Sequence, residues 1–250
     1  MLVLSTLGAP QRRLIRGRRP RRAAPEPAPV SVGRATVVAV TPFANRVAAD
    51  GWLRQAGDRA TAEARIAEAV VVLNRVLHLH RVATADSHVR EVDADLALVV
   101  RLGYGEGEQV AAGHWLQAIE PPLPAVKRRR EAALRPQERL AALLGARDAA
   151  LACEELAMRA RQDVDAGRRR EAALQLEVAL VAAIAELEPW APRGDLAERL
   201  DELRVLRPSV QDAARAALQG GVDDDEDAAV RHALARLEAA LRARTAPGFD

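Results

Sequence analysis

A chain of 250 residues that is 49% hydrophobic, with a net charge of only +2, is long enough to bury a core as one domain with a tail or as two small domains. Its one cysteine, Cys153, excludes an intramolecular disulfide and a cysteine-based zinc cluster, which fits a reducing compartment. Six aromatic residues and abundant alanine, leucine and glutamate exclude an aromatic-rich core and point to helix, because alanine loses no side-chain entropy there.

The charge is unevenly placed. Residues 1–34 carry eight arginines against one acid, Glu26, a net of +7, so residues 35–250 are net −5. Lys127 is the only lysine among 37 basic residues, a bias expected of a G+C-rich, bacterial genome. No apolar run approaches the ~20 residues of a membrane span. The apolar start, Met1 to Gly8, precedes the charges, the reverse of a secretory signal. A cytoplasmic protein that does not enter a membrane is the expectation.

In chain order, residues 1–34 are predicted to be a disordered Arg/Pro-rich tail, with Pro20, Pro25, Pro27 and Pro29 favouring extended stretches. Thr36–Val40 is the best strand candidate. A short helix is expected over 43–55. A longer one over 61–83, with Ile66, Val70, Leu73, Leu77 and His80 in one stripe, is expected to be central and well buried. Residues 93–102 fit either a strand or a helix closed by Gly103. Residues 35–120 form an N-terminal helical subdomain in this scheme, and 121–130, with Pro121, Pro122, Pro124 and Lys127–Arg130, a linker. A C-terminal helical bundle then fills 131–250. Its helices are predicted over 136–164 (Leu144, Leu151 and Met158 seven residues apart) and 168–187 (Leu176, Leu180, Ile184, Leu187). Asp195–Glu198 and Ser209–Asp212 read as capping boxes opening short helices. The last helix follows Asp223–Asp227 and carries Val230, Leu234, Leu237 and Leu241 on one narrow face. The fold class is thus a mainly α, alanine/leucine-rich multi-helix bundle with at most one short strand.

Within 150–187, Gly167, Ala172, Leu176 and Ala179, preceded by Leu156 and Ala160, resemble the hairpin of one tetratricopeptide repeat. That resemblance implies two closely packed antiparallel helices. Asp163 stands where the repeat has an aromatic residue, and no second repeat follows.

Residues that carry chemistry are sparse. Gly103-Tyr-Gly-Glu-Gly107 has Glu108 where a phosphate loop needs glycine, so it is read as a helix stop and turn. His78, His80, His88, His114, Asp86, Glu91 and Asp93 are the richest metal-type group. His78 and His80 lie about 200° apart on a helix and cannot chelate together. His80 is expected in the core; His80, His88 and Glu91 are the residues a metal site would use, and none is assigned. None of the four serines lies in G-x-S-x-G, and Ser87 and His88 are mere sequence neighbours. Cys153, followed by Glu154 and Glu155, is expected to be a buried structural thiol. No catalytic residue and no cofactor is assigned.

The leading function is therefore a non-enzymatic helical interaction protein, an adaptor or regulator that binds a protein partner or itself. The first alternative is non-specific nucleic-acid binding, with Arg12, Arg13, Arg16, Arg18, Arg19, Arg21 and Arg22 neutralising phosphates. The tail could equally dock on an acidic surface such as Asp223–Asp227. The second alternative is a His/carboxylate metal-dependent enzyme around His80–Asp93.

Overall fold

The computed structural model describes residues 1–7, 32–121 and 130–245, with backbone alone over 130–136. The chain divides into two compact units, 1–126 and 127–250, and the division falls inside the Pro/Arg segment. Seven α-helices dominate the described residues, with two two-stranded sheets, both in the first unit.

In the first unit, β1 (Leu2–Leu7) pairs antiparallel with β2 (Val32–Val37), Leu2 opposite Val37 and Leu7 opposite Val32. The two ends of the expected tail are therefore strands, and its middle, 8–31, lies outside the described residues. Only Thr36 and Val37 of the Thr36–Val40 strand candidate belong to β2, which starts earlier, and its partner is the apolar start of the chain, too far off in sequence for any local pattern to announce. Asn45 opens α1 (Arg46–Ala56) by accepting the Ala48 N–H at 2.9 Å. Asp58 opens α2 (Arg59–Thr84) through the Thr61 N–H. A 3₁₀ turn at Ala94–Leu96 and β3 (Leu102–Tyr104), paired with β4 (Gln117–Ile119), replace the helix-or-strand alternatives for 93–102.

Gly103 is no helix stop. A Cβ there would lie 2.6 Å from the Gln117 carbonyl oxygen of β4, so only glycine lets the two strands pair.

The second unit begins with α3 (Arg130–Leu144) and continues as four helices: α4 (Ala152–Asp165), α5 (Arg169–Leu187), α6 (Leu196–Gln219) and α7 (Asp224–Arg244). Consecutive helices pack on one another, and α7 returns to touch α4 and α5, closing the bundle. The core is alanine and leucine: Ala160, Ala172, Leu176, Ala179, Leu180, Leu200, Leu203, Val230, Leu234 and Leu237 are almost or wholly without exposure. Small residues at Ala160, Ala172 and Ala179 let α4 and α5 approach closely, the packing expected of their sequence pattern.

Two predictions of helix extent fail here. The helix expected over 136–164 is two helices, because Gly145 and Ala146 (φ 53°) end α3 in a left-handed turn. Leu144 and Met158 of the seven-residue stripe are consequently 80% and 61% exposed, and α4 buries Cys153, Ala157, Ala160 and Val164 instead. Conversely, the two short helices expected after Asp195 and Ser209 are one, α6, running through Pro208. Ser209 donates its hydroxyl to the Leu206 carbonyl rather than capping a new helix. Burial of Leu196, Leu200 and Leu203 before the proline and Val210, Ala213 and Ala217 after it holds both halves on one core.

Candidate functional site

The predicted site residues do not converge. The arginines from Arg12 to Arg22 lie outside the described residues. His80 and His88 are both exposed, and no group of three or more His, Cys, Asp or Glu placed to hold a metal occurs among the described residues. His80 is therefore not a core residue. Along its row, burial fades from Ile66 at 7% exposure through half-buried Val70, Leu73 and Leu77 to the open surface. Every residue of α2 from Leu79 to Thr84 is exposed. Two residues before His80, the Nδ1 of His78 is buried, with no hydrogen-bond partner among the described residues.

The helix is tied down by Asn74, which accepts the Val92 N–H and donates to the Val92 carbonyl, both at 2.9 Å. Ala62, Ile66, Val70, Leu73 and Leu77 face its own unit. The opposite rows carry Val71, Leu79 and Val82, 62%, 56% and 65% exposed, while Val72 and Val76 on the flank are 42% and 37% exposed. The outer face of α2 thus mixes exposed Val71, Leu79 and Val82 with the charged Glu68 and Arg75. An exposed valine in a helix has neither the propensity of alanine nor the reward of burial.

The densest charged constellation is in the second unit, where the last turn of α7 meets the first turn of α4. The Arg244 side chain is only 4% exposed. Its guanidinium donates to Asp148 at 2.6 Å, to Glu154 at 3.4 Å and to the Ala149 carbonyl at 3.2 Å, and lies 4.9 Å from the centre of the Trp190 ring. Arg139 of α3 reaches the same two carboxylates, Glu154 at 2.5 Å. Beside them the Glu186 carboxylate of α5 accepts the Ala152 and Cys153 N–H groups at 3.3 and 2.9 Å, satisfying the otherwise open start of α4.

Electrostatics follow from that geometry. Burial works to raise the Asp148 carboxyl, but the Ala149 N–H and the Arg244 guanidinium outweigh it and hold it below the usual range. Glu186 is likewise held low, burial being outweighed by the Cys153 N–H and thiol and the Ala152 N–H. The Cys153 thiol is pushed up to about 12 by burial first and then by Glu186. It is a packed, un-ionised group, as its sequence neighbours suggested, although the controlling acid comes from the next helix.

Sequence reasoning missed this cluster. Arg244 and Asp148 are 96 residues apart, and no local spacing joins them.

A second polar constellation lies in the first unit, in an open cleft of about 340 Å³ between α1 and β4, lined by Asp50, Leu53, Arg54, Gln117 and Ile119. The Tyr104 hydroxyl donates to Asp50 Oδ1, and Phe43 packs against both Trp52 and Tyr104, with ring centres 5.6 and 6.3 Å apart. The Asp50 hydrogen bond, with burial, raises the Tyr104 hydroxyl above its ordinary pKa.

No known family, curated protein or solved structure matches the chain. No helix among the described residues is long and apolar enough to cross a membrane.

Proposed function

We propose that this chain is a non-enzymatic helical interaction protein whose α2 helix offers its outer face to a protein partner or to a second copy. The observation that carries this reading is the row of exposed valines and leucine from Val71 to Val82, a face that costs stability unless something covers it. The tightly packed α4–α5 hairpin supports the same class, since a tetratricopeptide-like helix pair is a binding scaffold rather than a catalytic one. The single cysteine and the arginine-for-lysine usage support a bacterial, cytoplasmic setting.

The test compares the full chain with a V71S/L79S/V82S variant in affinity capture and light scattering. Because Val71, Leu79 and Val82 are each more than half exposed, the variant should keep its helicity and melting temperature. It should lose the partner, or the larger mass, that the parent shows. An unchanged partner set and unchanged mass would remove α2 as the interface.

Charge segregation supports a second reading, polyanion binding through Arg12–Arg22. Deletion of residues 1–34 should then abolish salt-sensitive retention on a phosphate-bearing column.

A further inference from the structure

The cleft between α1 and β4 combines groups that no packing role requires to face one another. Asp50 and Arg54 stand one helical turn apart on the same side of α1, and Gln117 faces them from β4. The floor is apolar, formed by buried Leu53 and half-buried Ile119. Gln117 and Ile119 alternate with Ala118 along β4, so both point the same way.

The two charges remain available. Asp50 takes the Tyr104 hydroxyl on Oδ1, and no hydrogen bond to Oδ2 occurs among the described residues. Arg54 has neither a carboxylate partner nor a side-chain hydrogen bond among the described residues. Adjacent opposite charges on a helix ordinarily pair with each other, as Arg59 and Glu63 do at 2.8 Å on α2. Asp50 and Arg54 do not: Asp50 accepts instead from the Tyr104 hydroxyl, beside which Arg46, one turn before Asp50 on α1, also lies. The cleft therefore presents a fixed anion and a separate cation above an aliphatic floor, at the small end of the usual pocket range of about 300–1,000 Å³.

We propose that this cleft binds a small zwitterion with an aliphatic side chain, of the size of a branched-chain amino acid. Arg54 takes the ligand carboxylate with paired N–H donors. Asp50 Oδ2 accepts from the ammonium group, while the Tyr104 hydroxyl keeps Oδ1 in place. Leu53 and Ile119 cover the side chain, and the Gln117 amide N–H donates to the second lone pair of one of the same carboxylate oxygens. This inference concerns the first unit alone and is independent of whether α2 is an interface.

Titration calorimetry on the full-length chain tests it with three probes: leucine, its decarboxylated amine 3-methylbutan-1-amine, and its deaminated acid 4-methylpentanoate. Leucine should bind saturably, and each one-charge analogue at least about tenfold more weakly, the loss of one charge-assisted contact. Arg54→Gln should weaken leucine and 4-methylpentanoate by a similar factor and leave the amine unchanged. Arg54 is exposed, so the variant should melt with the parent; Gln117→Ala, expected to weaken leucine only slightly, is a second variant that spares the charges. Absence of saturable heat with leucine overturns the proposal. So does equal affinity for leucine and the amine on the parent protein, a comparison that needs no variant, or leucine affinity unaltered by Arg54→Gln.

Discussion

Arg244 gathers two carboxylates, a carbonyl and the face of Trp190 on one guanidinium. Arg244→Met keeps much of the aliphatic volume but leaves Asp148 without its main partner. It should cost about 1.5–3 kcal/mol, the worth of hydrogen bonds to a charged group, read as a lower denaturation midpoint. Asp148 and Glu186 also set a pH dependence. Their folded values are depressed, so their contribution is complete above the unfolded carboxylate values of about 3.9 and 4.3 and is lost as pH falls through the folded ones. The melting temperature should fall steeply below about pH 4, and Asp148→Asn should start lower at neutral pH and fall less. Cys153 completes the residue scale. With its thiol fully buried and its pKa near about 12, it should resist a disulfide reagent in the native state and react at once in denaturant. Rapid native labelling would mean that the start of α4 opens readily.

At the scale of elements, α7 buries its narrow apolar face against its own bundle. Val230, Leu234 and Leu237 are fully buried within their own bundle. Interhelix pairs fix the register: Arg161 to Glu238 at 2.8 and 3.0 Å, Arg236 to Glu202 at 2.6 Å, and Arg169 to Asp224 at 2.7 Å. Leu234→Ala and Leu237→Ala should each cost about 2–5 kcal/mol by cavity formation, with no change in mass by light scattering. Dissociation of an oligomer on either substitution would show that the helix bridges copies instead. The contrast with α2 is instructive. Both helices have clear apolar stripes, yet α7 closes a bundle of three other helices, whereas α2 packs against short elements and is exposed from Leu79 to Thr84. Periodicity identifies which face can be buried; it does not say whether a neighbour is long enough to bury it.

For the whole molecule, the two units have different constitutions. Four of the six aromatic residues, Phe43, Trp52, Tyr104 and Trp115, lie in the first, whose core around Ala49, Leu53 and Tyr104 is small. The second is stabilised by one continuous alanine/leucine core with Arg–carboxylate pairs between its helices. A fragment of residues 127–250 should therefore fold alone and melt cooperatively by circular dichroism, with a midpoint close to the final transition of the full chain. A fragment that is unfolded in isolation would show that the first unit supplies part of its stability.

Composition and periodicity by themselves determined the helical class, the ends of α1, α2 and α5 and the start of α7 to within a few residues, and the buried rows Leu176–Leu180–Leu187 and Val230–Leu234–Leu237. These are properties of local sequence: alanine content, a 3.6-residue repeat, and caps such as Asp223, which accepts the Glu226 N–H at 2.8 Å. Tertiary structure alone decided that Leu2–Leu7 pairs with Val32–Val37, that α6 continues through Pro208 while α3 and α4 separate at Gly145, and that His80 faces outward. It also assembled the Arg244 cluster and the Asp50–Tyr104 contact, whose members are 96 and 54 residues apart along the chain. The physical reason is common to all of them. A hydrogen bond within one turn is specified by neighbouring residues, but burial and long-range pairing depend on which surfaces meet, and that is a property of the packed chain.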